Sequence, residues 1–379
     1  MKPTRSPAGF RPGLRKALAV ALTCLLAASA GMASTTPAVA AAGPRVYVAS
    51  GDDLPAGHDL NDNARRYPEQ LLEDHLKKVG WVVYNQAANG TSSSSYLTGG
   101  GLAKAYNMRP DLLTLQLGEQ NATIVNLVDS CFDKVKDHDF SGATSCASQI
   151  LGNSGLWTNL KGNYTTILQQ TRIMAAQRPA LVIAVLNYPN PYPSASSATA
   201  NVPQLCVPLV DTAITCTTRW AQFPIALTMI DKVFKKLNDT LTEALAPFQA
   251  GPNGSRWVYV DVYTPFTDHC MKMDVSIKTT VNHGQYTDQH NSQKDFGCSD
   301  PWFIEGSQGT KTPDYLEPAA AGVLVSKSQT TSGMGVWVDA DGQQCIADAI
   351  WEADTIDPGT TPLKWKLGYG EAADSDICQ

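Results

Sequence analysis

The chain has 379 residues, with 29 Lys and Arg against 35 Asp and Glu, which leaves a formal net charge of −6. An acidic chain without basic clusters is a poor ligand for nucleic acid or anionic membrane surfaces, and neither partner is expected. Five of the basic residues, Lys2, Arg5, Arg11, Arg15 and Lys16, lie ahead of an apolar stretch over 17–30 that is too short to span a bilayer comfortably.

Ala38-Val39-Ala40 then offers a cleavage site, so residues 1–40 read as a signal peptide and 41–379 as a secreted, extracellular chain. Losing the leader removes five positive charges and no negative one, taking the net charge to about −11. No later segment has the unbroken apolar length of a membrane span. A single domain over 41–379 is expected, acting as a monomer and without a cofactor.

Five apolar runs, over 46–50, 81–85, 112–117, 181–186 and 257–260, have the length and β-branched content of buried parallel strands. The first ends in Gly51-Asp52-Asp53-Leu54-Pro55-Ala56-Gly57, a tight turn carrying two acids. A helix follows over 68–80, with Pro68 in its first turn and Gly80 as its stop. The serine run over 92–95 reads as a helix start. Further helices are expected over 164–177 and 224–248. In the second, Ile230, Val233, Phe234, Leu237, Leu241, Leu245 and Phe248 keep helical spacing on one face.

Strands alternating with helices imply right-handed crossovers and a doubly wound parallel sheet. Ligands of such a sheet sit beyond the carboxyl ends of its strands. Three cysteine-bearing insertions, about 123–155, 188–219 and 266–333, are expected to be loops. Cys24 leaves with the leader, and the even set Cys131, Cys146, Cys206, Cys216, Cys270, Cys298, Cys345 and Cys378 implies disulfides in an exported chain. Nearest-neighbour pairing would join 131–146, 206–216, 270–298 and 345–378, and other connectivities stay open. Zinc is disfavoured because no C-x-x-C or H-x-x-x-H spacing occurs.

The order of these blocks resembles the SGNH (GDSL-like) hydrolases, an α/β family of esterases and lipases. The turn 51–57 resembles the family's G-D-S-x-x-x-G elbow, with Asp53 where the nucleophilic serine stands. "VVYNQAANGTS" resembles the second block and places its glycine at Gly90. "LLTLQLGEQNA" resembles the G-x-N-D block, with Gly118 at the glycine, Gln120 at the asparagine and Asn121 at the aspartate. The D-x-x-H block has two candidates. In "MGVWVDADGQQCIADAI" Trp337 takes the histidine position and Met334 the aspartate position; in "DYLEPAAAG" Glu317 takes the histidine position and Asp314 the aspartate. The resemblance implies a three-layer, flavodoxin-like fold with a five-stranded parallel sheet and disulfide-bearing loop insertions.

A serine esterase needs an alcohol nucleophile, a base and oxyanion donors. Asp53 and Trp337 or Glu317 supply neither the alcohol nor the base, and His58, His269, His283 and His290 read as solvated loop residues. The site instead holds carboxylates. Asp53, Glu119 and Glu317 are the candidate catalytic groups, because an acid of raised pKa beside an ionised carboxylate is the minimum for glycoside cleavage. Asp52 is expected to be structural within the elbow. Gly90, Gln120, Asn121 and Trp337 are the candidate substrate-binding residues, Gln120 through its amide and Gly90 through close backbone approach.

The aromatics Trp157, Trp302, Trp337, Tyr188 and Tyr192 are placed in loops over the cleft, where they suit sugar rings or a local core. A hard-oxygen metal site from Asp52, Asp53 and Glu119 is disfavoured because its spacing matches no known loop. Three activities stay open: a carboxylate hydrolase acting on a glycan or esterified glycan, a binding pseudoenzyme, and an esterase with a displaced nucleophile.

Overall fold

The computed structural model describes residues 43–58, 60, 62–77, 80–121, 124–136, 139–195, 221–251, 254–267, 269–270, 272–282, 287–297, 303–305, 336–353 and 367. Residues Pro44–Gln379 form one compact unit. Its centre is a five-stranded parallel sheet of β1 (Arg45–Gly51), β2 (Trp81–Asn85), β3 (Leu112–Gln116), β4 (Val182–Leu186) and β5 (Trp257–Val260), in the order β2-β1-β3-β4-β5. That is the flavodoxin-like order of a doubly wound sheet.

Consecutive residues Tyr47, Val48 and Ala49 are all fully buried, as are Leu112, Leu113 and Leu115. Neighbouring residues of a strand point to opposite faces, so both faces are covered, which is why these strands read as unbroken apolar runs. The chain passes from β1 outward to β2, then returns to the other side of β1 as β3. The switch point therefore opens beyond the carboxyl ends of β1 and β3, where Gly51 pairs in register with Gln116.

The helices are α1 (Asp53–Ala56), α2 (Tyr67–Leu71), α3 (Ser93–Thr98), α4 (Gly101–Asn107), α5 (Ile124–Lys136), α6 (Phe140–Gly152), α7 (Ser154–Gln177), α8 (Phe223–Gln249) and α9 (Ala340–Glu352). The helix expected over 68–80 starts on time but runs on from α2 as a π-helical turn, Leu72–Leu76. The serine run does start a helix: Ser92 caps α3, exchanging side-chain and backbone bonds with Ser95 in a capping box. α8 buries Ile230, Val233, Phe234, Leu237, Leu241 and Leu245, as its spacing requires.

The insertion over 123–155 is not a loop. It folds as α5 and α6, tied by a disulfide between Cys131 and Cys146, and α7 begins ten residues ahead of the expected 164. Cys270 and Cys345 are also disulfide-bonded; Cys206, Cys216, Cys298 and Cys378 lie outside the described residues. The insertion over 266–333 carries a long antiparallel hairpin, β6 (Lys272–Asn282) with β7 (Thr287–Gly297), and then β8 (Phe303–Glu305), which pairs with β9 (Val336–Val338). Among the described residues no helix is long and apolar enough to cross a membrane.

Candidate active site

The elbow is built by two glycines for two different reasons. A Cβ on Gly51 would sit 2.4 Å from the carbonyl oxygen of Gln116 and 2.5 Å from Pro55 Cγ, so only glycine lets β1 close on β3 here. The next amide, that of Asp52, then donates to the Gln116 carbonyl at 3.0 Å. At the far end Gly57 adopts φ 63°, a left-handed conformation that ends the single turn of α1 and donates to Leu54 O at 3.0 Å. The result presents Asp52 and Asp53 at the switch point, both fully buried.

Asp53 is held at both carboxylate oxygens. The backbone N–H of Gly90 donates to Oδ1 at 2.5 Å, and the side-chain amide of Gln120 donates to Oδ2. Gly90 has φ 74°, and nothing lies within 4 Å of where its Cβ would be, so the loop after β2 needs glycine for its dihedral alone. These are the two donors the family resemblance assigns to a substrate oxyanion. Here they close on the protein's own carboxylate.

Asp52 faces the other way. Its Oδ2 accepts from the Tyr188 hydroxyl, at the carboxyl end of β4, while its Oδ1 finds no well-aligned donor. Burial drives its pKa well above the ordinary carboxyl range, and the neighbouring Asp53 charge drives it further. The Tyr188 hydroxyl and the amides of Gly118 and Leu54 oppose the rise without reversing it. Glu119, next to Gln120 on the loop after β3, is likewise pushed well above the usual range, first by burial and then by the charges of Asp52 and Asp53. No hydrogen bond from a described residue favours its charged form. Three carboxyls thus share one buried pocket. Burial and mutual repulsion both oppose ionisation of Asp52 and Glu119, whereas the two donors at Asp53 favour a negative charge there.

The remaining expected residues separate. Asn121 is buried and its amide is occupied: Oδ1 accepts from Ser93 N at 2.8 Å and Nδ2 donates to Ser93 Oγ at 2.6 Å. It clasps the loop after β3 to the start of α3, so its amide is turned to the scaffold and away from the Asp53 carboxylate. Trp337 lies on a strand, β9, opposite Ile304, rather than in a loop. Glu317, Asp314, Met334, Trp302 and His283 fall outside the described residues. Of the aromatics placed in loops, Trp157 is helical instead, while Tyr188 and Tyr192 do follow β4 outside any helix or strand and pack locally. Trp157 is on α7 and donates its indole N–H to Ile150 O at 3.1 Å, and Tyr192 stacks obliquely between Phe132 and Phe234. Tyr188 is buried against Asp52. Packing and hydrogen-bond satisfaction therefore explain Trp157, Tyr188 and Tyr192, not sugar stacking.

Two residues that the sequence did not single out hold the site in place. Gln343 on α9 donates from Nε2 to Leu54 O at 3.1 Å and accepts at Oε1 from Tyr67 N at 2.9 Å. One side chain thereby joins the elbow, α2 and the last helix. Asn187 follows β4; its Nδ2 donates to Asp261 Oδ1 at 2.7 Å and its Oδ1 accepts from Val262 N at 2.6 Å, bracing the loops after β4 and β5 together. Asp339 caps α9 by accepting from Gly342 N at 2.9 Å, as its position before the helix requires. Among the described residues no group of three or more His, Cys, Asp or Glu is placed to hold a metal ion.

Fold and site together define a doubly wound α/β protein whose elbow, at the topological switch point, carries a carboxylate held by two donors. No protein-family model and no curated protein matches the chain. Among solved structures it is similar to an extracellular lipase from Streptomyces rimosus, at 16% identity over 60% of this chain and 84% of that one, with a TM-score of 0.36. It is also similar to a GDSL-like lipase from Parabacteroides merdae, at 12% identity over 59% of this chain and 80% of that one, with a TM-score of 0.33. A Streptococcus protein titled as a platelet activating factor shares 11% identity over 82% of this chain and 84% of that one, with a TM-score of 0.34. Likenesses of this size carry neither the fold, which rests on the strand order, nor an activity.

Proposed function

We propose that the chain is a divergent, exported protein of the SGNH hydrolase type that binds a glycan or esterified glycan in its inherited cleft and has given up serine-type ester hydrolysis. The observation that carries this reading is the seating of Asp53. Both oxygens of its carboxylate accept from the Gly90 amide and the Gln120 side chain, and the group is fully buried. An oxyanion pocket works by leaving donors free for charge that develops on the substrate. Donors already neutralised by a fixed carboxylate have nothing left to give a transition state. Asp53 attacking an ester would also yield an anhydride in place of a stable acyl-enzyme.

A second reading has one observation of its own. Burial and the neighbouring Asp52 and Asp53 charges push the Glu119 carboxyl well above the usual range, the direction a general acid for glycoside cleavage needs. Both readings are tested by product release from the full chain and its Asp53→Asn and Glu119→Gln variants, using short- and long-chain nitrophenyl esters, acetylated glycans and a polysaccharide panel. Binding without turnover is the expected result. Ester hydrolysis by the unaltered protein would overturn it in favour of a displaced nucleophile, and glycan cleavage lost in both variants would establish the carboxylate hydrolase.

A further inference from the structure

Another cavity, its lining more apolar than polar, lies at the same end of the sheet, and nothing described above uses it. It has a volume of about 260 Å³ and is walled by Asn190 and Tyr192 after β4, Tyr263 after β5, and Thr228, Asp231 and Lys235 on α8. Asp231 is its hub. Its Oδ1 accepts from Asn190 Nδ2 at 2.9 Å and from the Tyr263 hydroxyl, and its Oδ2 pairs with Lys235 Nζ at 3.1 Å. The three walls are thereby locked to one another before any ligand arrives. Tyr192, wedged against Phe132 and Phe234, gives a rigid floor, and its amide donates to Asn190 Oδ1 at 3.0 Å. Lys235 Nζ lies 5.9 Å from the centre of the half-buried Tyr263 ring.

We propose that this cavity is a subsite for one neutral sugar ring. The reasons are size, charge and chemistry. The space suits a single ring and is too small for most drug-sized ligands. The Asp231 and Lys235 charges cancel, so the lining favours neither an anion nor a cation. The wall offers apolar surface and an aromatic face beside a few hydroxyl, amide and ammonium groups, a mixture that a polyhydroxylated ring with apolar faces matches. Position adds a further reason. β1 and β5 are separated by three strand spacings, roughly 14 Å, so the elbow and this cavity lie along one line at the carboxyl ends of the strands. Asn187 braces the two loops that form the cavity, and the adjacent Tyr188 meets Asp52, so the cavity and the elbow share their supports.

The inference takes its ligand class from the glycan reading above but does not need turnover, so the two fail separately. The test is a titration of the full chain with xylotetraose, cellotetraose, chitotetraose and sodium octanoate, followed by calorimetry and amide chemical shifts. One of the three oligosaccharides is expected to bind with a Kd of about 1 mM or tighter. Thr228→Phe, which fills the cavity from a half-buried helix position, and Tyr263→Ala, which removes its aromatic wall, should each weaken that binding at least tenfold. Thr228→Phe alone decides the matter if Tyr263→Ala does not fold. Saturable binding that survives Thr228→Phe, no saturable binding of any oligosaccharide, or octanoate occupying the cavity in their place would each overturn the proposal.

Discussion

Replacing Asp53 by alanine removes a carboxylate and leaves two donors, the Gly90 amide and the Gln120 side chain, facing an empty pocket. A hydrogen bond to a charged group contributes roughly 1.5–3 kcal/mol, so the two lost bonds amount to about 3–6 kcal/mol before compensation. Compensation is substantial, because Asp53 also raises the pKa values of Asp52 and Glu119 and its removal relieves that repulsion. A net loss of about 2–3 kcal/mol is expected, or a fall in Tm of about 4–10 °C for a domain of this size. The vacated pocket should then accept formate. At ten times its Kd, formate would restore about 1.4 kcal/mol by mass action. The assay is thermal unfolding of both proteins in formate and in chloride at equal ionic strength. Formate should stabilise Asp53→Ala and leave the unaltered protein unchanged, since its pocket is already filled. A variant as stable as the parent and indifferent to formate would refute the idea that these donors form a carboxylate seat.

The buried acids make stability depend on pH in a defined direction. Asp52 and Glu119 bind protons more tightly folded than unfolded, so their contribution is complete below the ordinary values of 3.8 and 4.5 and is lost as pH rises through the elevated ones. Glu119→Gln should flatten the fall of Tm above about pH 4.5, and parallel curves for variant and parent would contradict the assignment. Gln343→Ala should cost about 1–3 kcal/mol in denaturant unfolding, because it strands Tyr67 N in the interior, while Leu54 O keeps the Gly57 amide; a loss below 1 kcal/mol would mean that other groups take over. Paired Cys131→Ser and Cys146→Ser changes open a link between residues 15 apart in sequence and should lower stability by about 3 kcal/mol, read by denaturant midpoint against the oxidised parent.

Much of the site could be read along the chain because its parts are local. The elbow is seven consecutive residues whose two glycines must serve a close approach and a left-handed turn, and that pattern survives the loss of the serine. Gly90 and Gln120 were singled out through the blocks of the resemblance, Gly90 for close backbone approach and Gln120 for its amide; that both meet Asp53 was not legible along the chain. Asn121 misled because its neighbours along the chain lie at the cleft, whereas its partner, Ser93, is 28 residues away. The insertion over 123–155 was grouped with the cysteine-bearing loop insertions. In the folded chain Ile124, Val128, Phe132 and Val135 are buried along one side of α5, and Phe140, Ala143, Ala147 and Ile150 along one side of α6.

The amino-acid sequence by itself determined the strands, the alternation that winds the sheet, the turn at the elbow and the absence of a serine nucleophile there. These follow from periodicity, from dihedral limits and from chemical identity, which act over a few residues. Tertiary structure alone decided that Asp53 sits on the Gly90 and Gln120 donors, that Tyr188 serves Asp52 and that Gln343 holds the elbow from the far end of the chain. It also decided the raised pKa values of Asp52 and Glu119, because a carboxyl holds its proton according to burial and to nearby charges. Those surroundings exist only once segments far apart in the chain have packed together.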